Sequence, residues 1–188
     1  MQPIHAALFF LIVHAALGGF DTFVNHEWRE HLPRRPAAAH ELALHAARSF
    51  MFAVIFAGAA WLEWRGAWGW AMLAFMGCEF AVTIVDSVVE DRTRRLAPLE
   101  RANHMLLALN TGVYMALFAG QVVARWQQLD TQLVIAHHPS LLAWPLTLAA
   151  AGVVVWTFRD AIAARRLAAR DGAPSQTVGL PRALNRPS

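Results

Sequence analysis

The sequence is poor in charge, lacks lysine and holds a single cysteine. Only 15% of its 188 residues are charged, while 57% are hydrophobic and the mean hydropathy is +0.37. That balance excludes a disordered chain and points to a membrane protein of one domain. All 16 basic side chains are arginines, which by itself carries no functional reading. The formal charge of +3 is not a nucleic-acid signal, because the arginines gather at the ends of apolar runs. Cys78, standing alone, excludes an intrachain disulfide and a thiolate zinc cluster. It reads as a small apolar filler. The first residues, MQPIHAALFFLIVHAAL, lack a basic n-region and a small-x-small cleavage site, so a retained first span is expected there.

What is present is five apolar runs long enough to cross, or nearly cross, a bilayer: about 4–24, 43–61, 68–89, 103–123 and 141–158. The expected fold is therefore an all-α integral membrane protein, with spans one to four around a polar core and span five as a packing helix at the edge. Twelve arginines fall on one side of these runs, and two, Arg65 and Arg125, fall on the other. The positive-inside rule then puts the N-terminus outside and the C-terminus in, with a bacterial cytoplasmic membrane as the location. Trp61, Trp64, Trp68, Trp70, Trp126 and Trp144 gather at the arginine-poor side, as an aromatic belt does. In the loop 21–41, HEWREH reads as a short interfacial helix broken by Pro33 and Pro36. Residues 172–188, rich in Pro, Arg, Ser and Gly, read as a disordered tail.

The chain is organised around Glu79 to His104. Within an apolar run, Glu79, Thr83, Asp86 and Glu90 recur at a spacing that places them on one helix face. Asp86 lies about 5 Å and Glu79 about 15 Å inside the end of the span. Span one carries His14 and Asp21 on one face, span two Glu41, His45 and Arg48, and span four Glu100, His104 and Thr111. Four polar stripes cannot each face lipid, so they are expected to face one another.

Carboxylates and imidazoles without thiolates suit iron, zinc or manganese. Three Glu-x-x-x-His pairs, Glu27–His31, Glu41–His45 and Glu100–His104, set an acid and an imidazole one helical turn apart. The expected metal ligands are His45, His104, Glu90 and Asp86, followed by Asp21, His40 and Glu100, with Glu79 and Asp86 as catalytic acids. This arrangement is similar to membrane di-metal oxidases in location and ligand chemistry, although their dense histidine boxes are absent here. HEWREH, VVEDRTRR and ERANH also resemble patterns in small bacterial multi-span membrane proteins. That resemblance covers most of residues 14–115 and implies no activity.

Simpler roles compete for the same residues. Glu41 and Glu100 sit where acids favour a helix N-terminus. Asp86, Glu90 and Asp91 can pair with the neighbouring arginines. His26 and His31 suit an interface, and Glu79 can pair with His14 or be protonated. The favoured expectation is a membrane metalloenzyme with one or two ions, iron or zinc. It would oxidise or hydrolyse a lipid-like substrate entering from the bilayer. The alternatives are a proton- or cation-coupled carrier using His14, Glu79 and Asp86, a haem protein using His45 and His104, and a non-catalytic scaffold.

Overall fold

The computed structural model describes residues 3–171. The expected tail lies outside the described residues. Five helices within them are long and apolar enough to cross a membrane. Helix α1 (Pro3–Phe20) continues without a break into a π-helical stretch, Asp21–Arg29. Two short 3-10 turns lead into α2 (Ala39–Trp61). Helices α3 (Ala67–Thr93), α4 (Pro98–Ala124) and α5 (Ser140–Asp171) follow.

The helices outrun the apolar stretches read from sequence, and they do so at their arginine-rich ends. Hydropathy stops at the first polar residues, but a helix continues wherever its backbone bonds are made and its polar side chains find partners. HEWREH is not a separate interfacial helix. Its first residues belong to the π-helical end of α1, and His31 closes the segment in the left-handed region at φ 48°. Pro36 opens a 3-10 turn ahead of α2, where its missing N–H costs nothing.

The links at the tryptophan-rich end are not simple turns. β1 (Leu62–Trp64) pairs antiparallel with β2 (Leu133–Ile135), with Leu62 opposite Ile135 and Trp64 opposite Leu133. This two-stranded clasp joins the α2–α3 link to the α4–α5 link. Gly66 follows it at φ +59°, with Thr131 so close that no side chain would fit. The apolar core fills the same half of the molecule, where Leu8, Leu11, Phe56, Met76, Phe118 and Val122 interlock. Trp126, expected in the aromatic belt, is 1% exposed and packs edge-on against Phe118. Trp68, Trp70 and Trp144 do remain exposed at that end.

The outer faces of α3 and α4 carry exposed apolar side chains, among them Ile84, Val85, Leu106 and Leu109. Such faces suit lipid rather than water. Cys78, expected as a filler, is also exposed. Helix α5 lies along α2 and also touches α1. It is more than an edge helix, because it walls a cavity beside the polar core.

Candidate metal centre

The polar side chains of α1 to α4 meet at the arginine-rich end. Asp21, His26, His45, Glu90 and Glu100 are buried, with His104 at the margin. They form two groups that share one residue. Asp21, His26, Glu100 and His104 make the first, and His26, His45 and Glu90 the second. Within each group, one donor atom per residue lies within 4.8 Å of all the others.

The π-helical winding builds the first group. On an α-helix, residues five apart point about 140° away from each other. With i→i+5 hydrogen bonding they come onto one face. Asp21 and His26 are five apart, and His26 Nε2 stands 3.4 Å from Asp21 Oδ2. Asn25 Nδ2 donates to Asp21 Oδ1 at 2.7 Å and fixes the carboxylate. The other oxygen faces His104 Nε2 at 3.0 Å.

Glu90 links the two groups. Its Oε1 lies 3.5 Å from His45 Nε2 and 3.7 Å from His26 Nε2, while its Oε2 lies 3.5 Å from His104 Nδ1. Donors held about 2.0–2.2 Å from one ion stand roughly 3–3.5 Å apart, so these separations suit a shared cation. The donor atoms are also left over by the rest of the protein. His26 Nε2, His45 Nε2, Glu90 Oε2 and Asp86 Oδ1 are buried without a hydrogen-bond partner.

Two arginines hold the rim. Arg94, in the turn after α3, is buried and binds Glu100 through both terminal nitrogens, at 2.8 and 2.6 Å. It also donates to Glu41 at 3.1 and 3.3 Å and reaches Glu90 at 3.5 Å. Burial alone would lower the Arg94 pKa. The Glu100 hydrogen bonds and the charges of Glu41, Glu100 and Glu90 instead raise it above the ordinary guanidinium value. Arg48 binds Asp86 at 2.5 Å and stands 3.6 Å from Glu79. Six carboxylates, those of Asp21, Glu41, Glu79, Asp86, Glu90 and Glu100, are thus buried against two guanidiniums. With neutral imidazoles the formal charge is −4.

The expected ligands divide accordingly. Asp21, Glu100 and His104 enter one group, and His45 and Glu90 the other. Asp86 is placed beside them, its Oδ2 3.2 Å from the same His45 Nε2, but that oxygen is held by Arg48. Glu79 lies deeper and accepts a hydrogen bond from Thr83 at 2.7 Å, outside both groups. His40 is a correction: it is exposed. Five residues before His45 on a regular α-helix, it faces another side of α2. Of the Glu-x-x-x-His pairs, only Glu100–His104 stays together. Glu41 turns to Arg94, Glu27 pairs with Arg159, and His31 is exposed.

Sequence reading missed the central place of His26, because its spacing from Asp21 is wrong for an α-helix. It missed Asp160, which is 3% exposed and bonded to Arg159 at 2.6 Å, because hydropathy ended span five before it.

Beside the cluster lies a cavity of about 290 Å³ between α1, α2 and α5. Asp21, His26, His45 and Arg48 line its polar end, and Phe52, Phe56 and Val153 its apolar end. No family model, curated protein or solved structure matches this chain.

Proposed function

We propose that the chain is a multi-span membrane metalloenzyme whose cluster holds two divalent ions bridged by Glu90. The observation that supports this is the convergence of buried donors on Glu90: His26 Nε2 and His45 Nε2, both without a hydrogen-bond partner, face its Oε1, and His104 Nδ1 faces its Oε2. Charge supports it as well. Burying unpaired carboxylates costs several kcal/mol each. Two divalent cations would offset the −4, with neutral imidazoles as ligands.

Imidazole and carboxylate donors around a bridging carboxylate favour iron, as in soluble carboxylate-bridged helical bundles. With iron bound, the chemistry supplied would be oxidation of a hydrophobic molecule from the bilayer with dioxygen as the oxidant; zinc in the same place would support hydrolysis with water. Arg48 fixes Asp86 beside His45 Nε2, and Arg94 fixes Glu100 and Glu90 together with Glu41 outside the groups. In this reading the arginine-rich end faces the cytoplasm of a bacterial cell, with the N-terminus outside.

The carrier reading has less support. A path would need continuous polar groups along the tryptophan-rich half, where Tyr114 and Gln121 stand among Leu8, Leu11, Phe56, Met72 and Phe118. For a haem, His45 and His104 close on Glu90 at 3.5 Å each and leave little room for a macrocycle.

Elemental mass spectrometry of protein purified in detergent, never exposed to chelator, tests the reading. Wild type should carry one to two equivalents of iron or zinc, and His104→Ala should lose at least one while remaining helical by circular dichroism. Folded wild-type protein without transition metal would sink it.

A further inference from the structure

The cavity beside the cluster opens sideways. Gly18 and Gly19 on α1 and Gly152 on α5 line it, yet Gly152 is exposed and the other two partly so. An added Cβ at any of the three would meet nothing within 4 Å. The gap between α1 and α5 therefore leads from the apolar surface of the bundle straight to the cavity. At about 290 Å³, it falls just below the roughly 300–1,000 Å³ range of ligand pockets, which suits a slender ligand.

Its polar end selects against an anion. Both guanidiniums on its wall are occupied: Arg48 by Asp86, and Arg159 by Glu27 and Asp160. A carboxylate or phosphate entering here would meet Asp21 and Asp160 with no free cation to receive it. Two lining residues leave a buried ring nitrogen without a hydrogen bond: His14, 5% exposed between Phe52 and Tyr114, at Nδ1, and Trp156 at Nε1. His14 stands on α1, which borders that gap, and can serve a hydroxyl as acceptor or a carbonyl as donor.

We propose that the cavity takes an uncharged, single-chain apolar molecule bearing one hydroxyl or carbonyl group. It enters from the bilayer between α1 and α5 and hydrogen-bonds to His14. This rests on the metal-centre reading for its chemistry, since His26 and His45 line the same cavity as His14. Binding itself requires only the cavity.

The test uses full-length protein in nanodiscs and two photoreactive probes of equal chain length, each with a terminal diazirine. One is a straight-chain fatty alcohol, the other the corresponding fatty acid. After illumination, labelled peptides are mapped by mass spectrometry. The alcohol should label the segments holding Phe52, Phe56 or Val153, at least roughly fivefold more than the acid. Gly152→Leu should cut that labelling by a similar factor, and Gly18→Leu serves if the first variant does not fold. Equal labelling by acid and alcohol overturns the uncharged-ligand assignment. Wild-type labelling in both glycine variants overturns the entrance. Labelling confined to the outer faces of α3 and α4 overturns the cavity. Metal content measured on the same samples separates the two readings. Cavity labelling in metal-free protein upholds this proposal while the metalloenzyme fails, and metal without labelling does the reverse.

Discussion

His26 and His45 stack face to face across two helices, their ring centroids 4.5 Å apart and their planes within 8° of parallel. Both Nε2 atoms face one oxygen of Glu90, and neither has a hydrogen-bond partner. Two imidazolium rings so placed would repel each other, whereas neutral rings keep an in-plane Nε2 lone pair that a cation beside Glu90 would take up. His26 also belongs to the group of Asp21, Glu100 and His104. Its Nε2 is the atom that serves in either group, and one imidazole nitrogen ligates one ion, so its loss should empty one site. His26→Ala is expected to retain about half the wild-type metal or less, by elemental mass spectrometry. His40→Ala, at an exposed position, should retain all of it. Full metal content in His26→Ala would contradict a ligand role for His26.

Arg94 neutralises acids from α2, α3 and α4 together. Removing it leaves three buried carboxylates short of their cation. Arg94→Ala should lower stability by about 3–5 kcal/mol, read from denaturant unfolding in detergent. Arg94→Lys should recover little, because an ammonium cannot make the two-pronged bond to Glu100. A variant as stable as wild type would show that the network contributes nothing.

Glu79 separates an enzyme from a carrier. It is held by Thr83 and Arg48, away from the donor groups. Glu79→Gln should leave metal content unchanged. A carrier would instead lose proton-coupled flux in proteoliposomes with that variant, and finding such flux in wild type would count against the enzyme reading.

The tryptophan-rich end relies on a close approach at Gly58. A Cβ there would lie 2.7 Å from the Trp64 ring and 3.0 Å from the Met72 methyl. Trp64 is pinned by its indole N–H donating to the Gly58 carbonyl at 3.0 Å, so it cannot simply withdraw. Gly58→Ala should cost about 1–3 kcal/mol of stability while leaving metal content intact.

His138, in the link before α5, gives a pH dependence. Burial, and then the neighbouring His5, lower its pKa below 6.5 in the folded protein. As pH falls below 6.5 the unfolded chain takes up the proton first, so stability is lost as pH falls. Thermal midpoints on either side of that value should differ less in His138→Gln than in wild type. An unchanged difference would assign the effect to other groups.

The architecture was legible where one physical signal dominated. Apolar runs gave the five long helices, and α-helical periodicity placed Asp86 and Glu90 on the face of α3 that turns inward. The site was legible only as far as that periodicity held. Asp21 and His26 come together through a change of winding that no hydrophobic pattern encodes. Arg94 acts from a turn, where direction cannot be read from spacing. Asp160 was hidden because charge marks the end of an apolar run, whereas Arg159 lets α5 continue past it. The β1–β2 clasp escaped for a related reason: three-residue strands are too short to show alternation.

Arg94 follows Glu41 by 53 residues. In a chain made from its N-terminus, the acid on α2 is therefore complete well before its counter-charge exists, and Glu90 on α3 waits as well. Releasing either helix alone would leave a carboxylate unpaired at the arginine-rich end of its span, at a cost below the roughly 2.5–3.5 kcal/mol of a span's centre. We expect α1 to α4 to be held back during synthesis and to enter the bilayer as a group once Arg94 has docked. Arrested nascent chains ending before residue 94 should then remain extractable by carbonate, and chains extending beyond α4 should resist it.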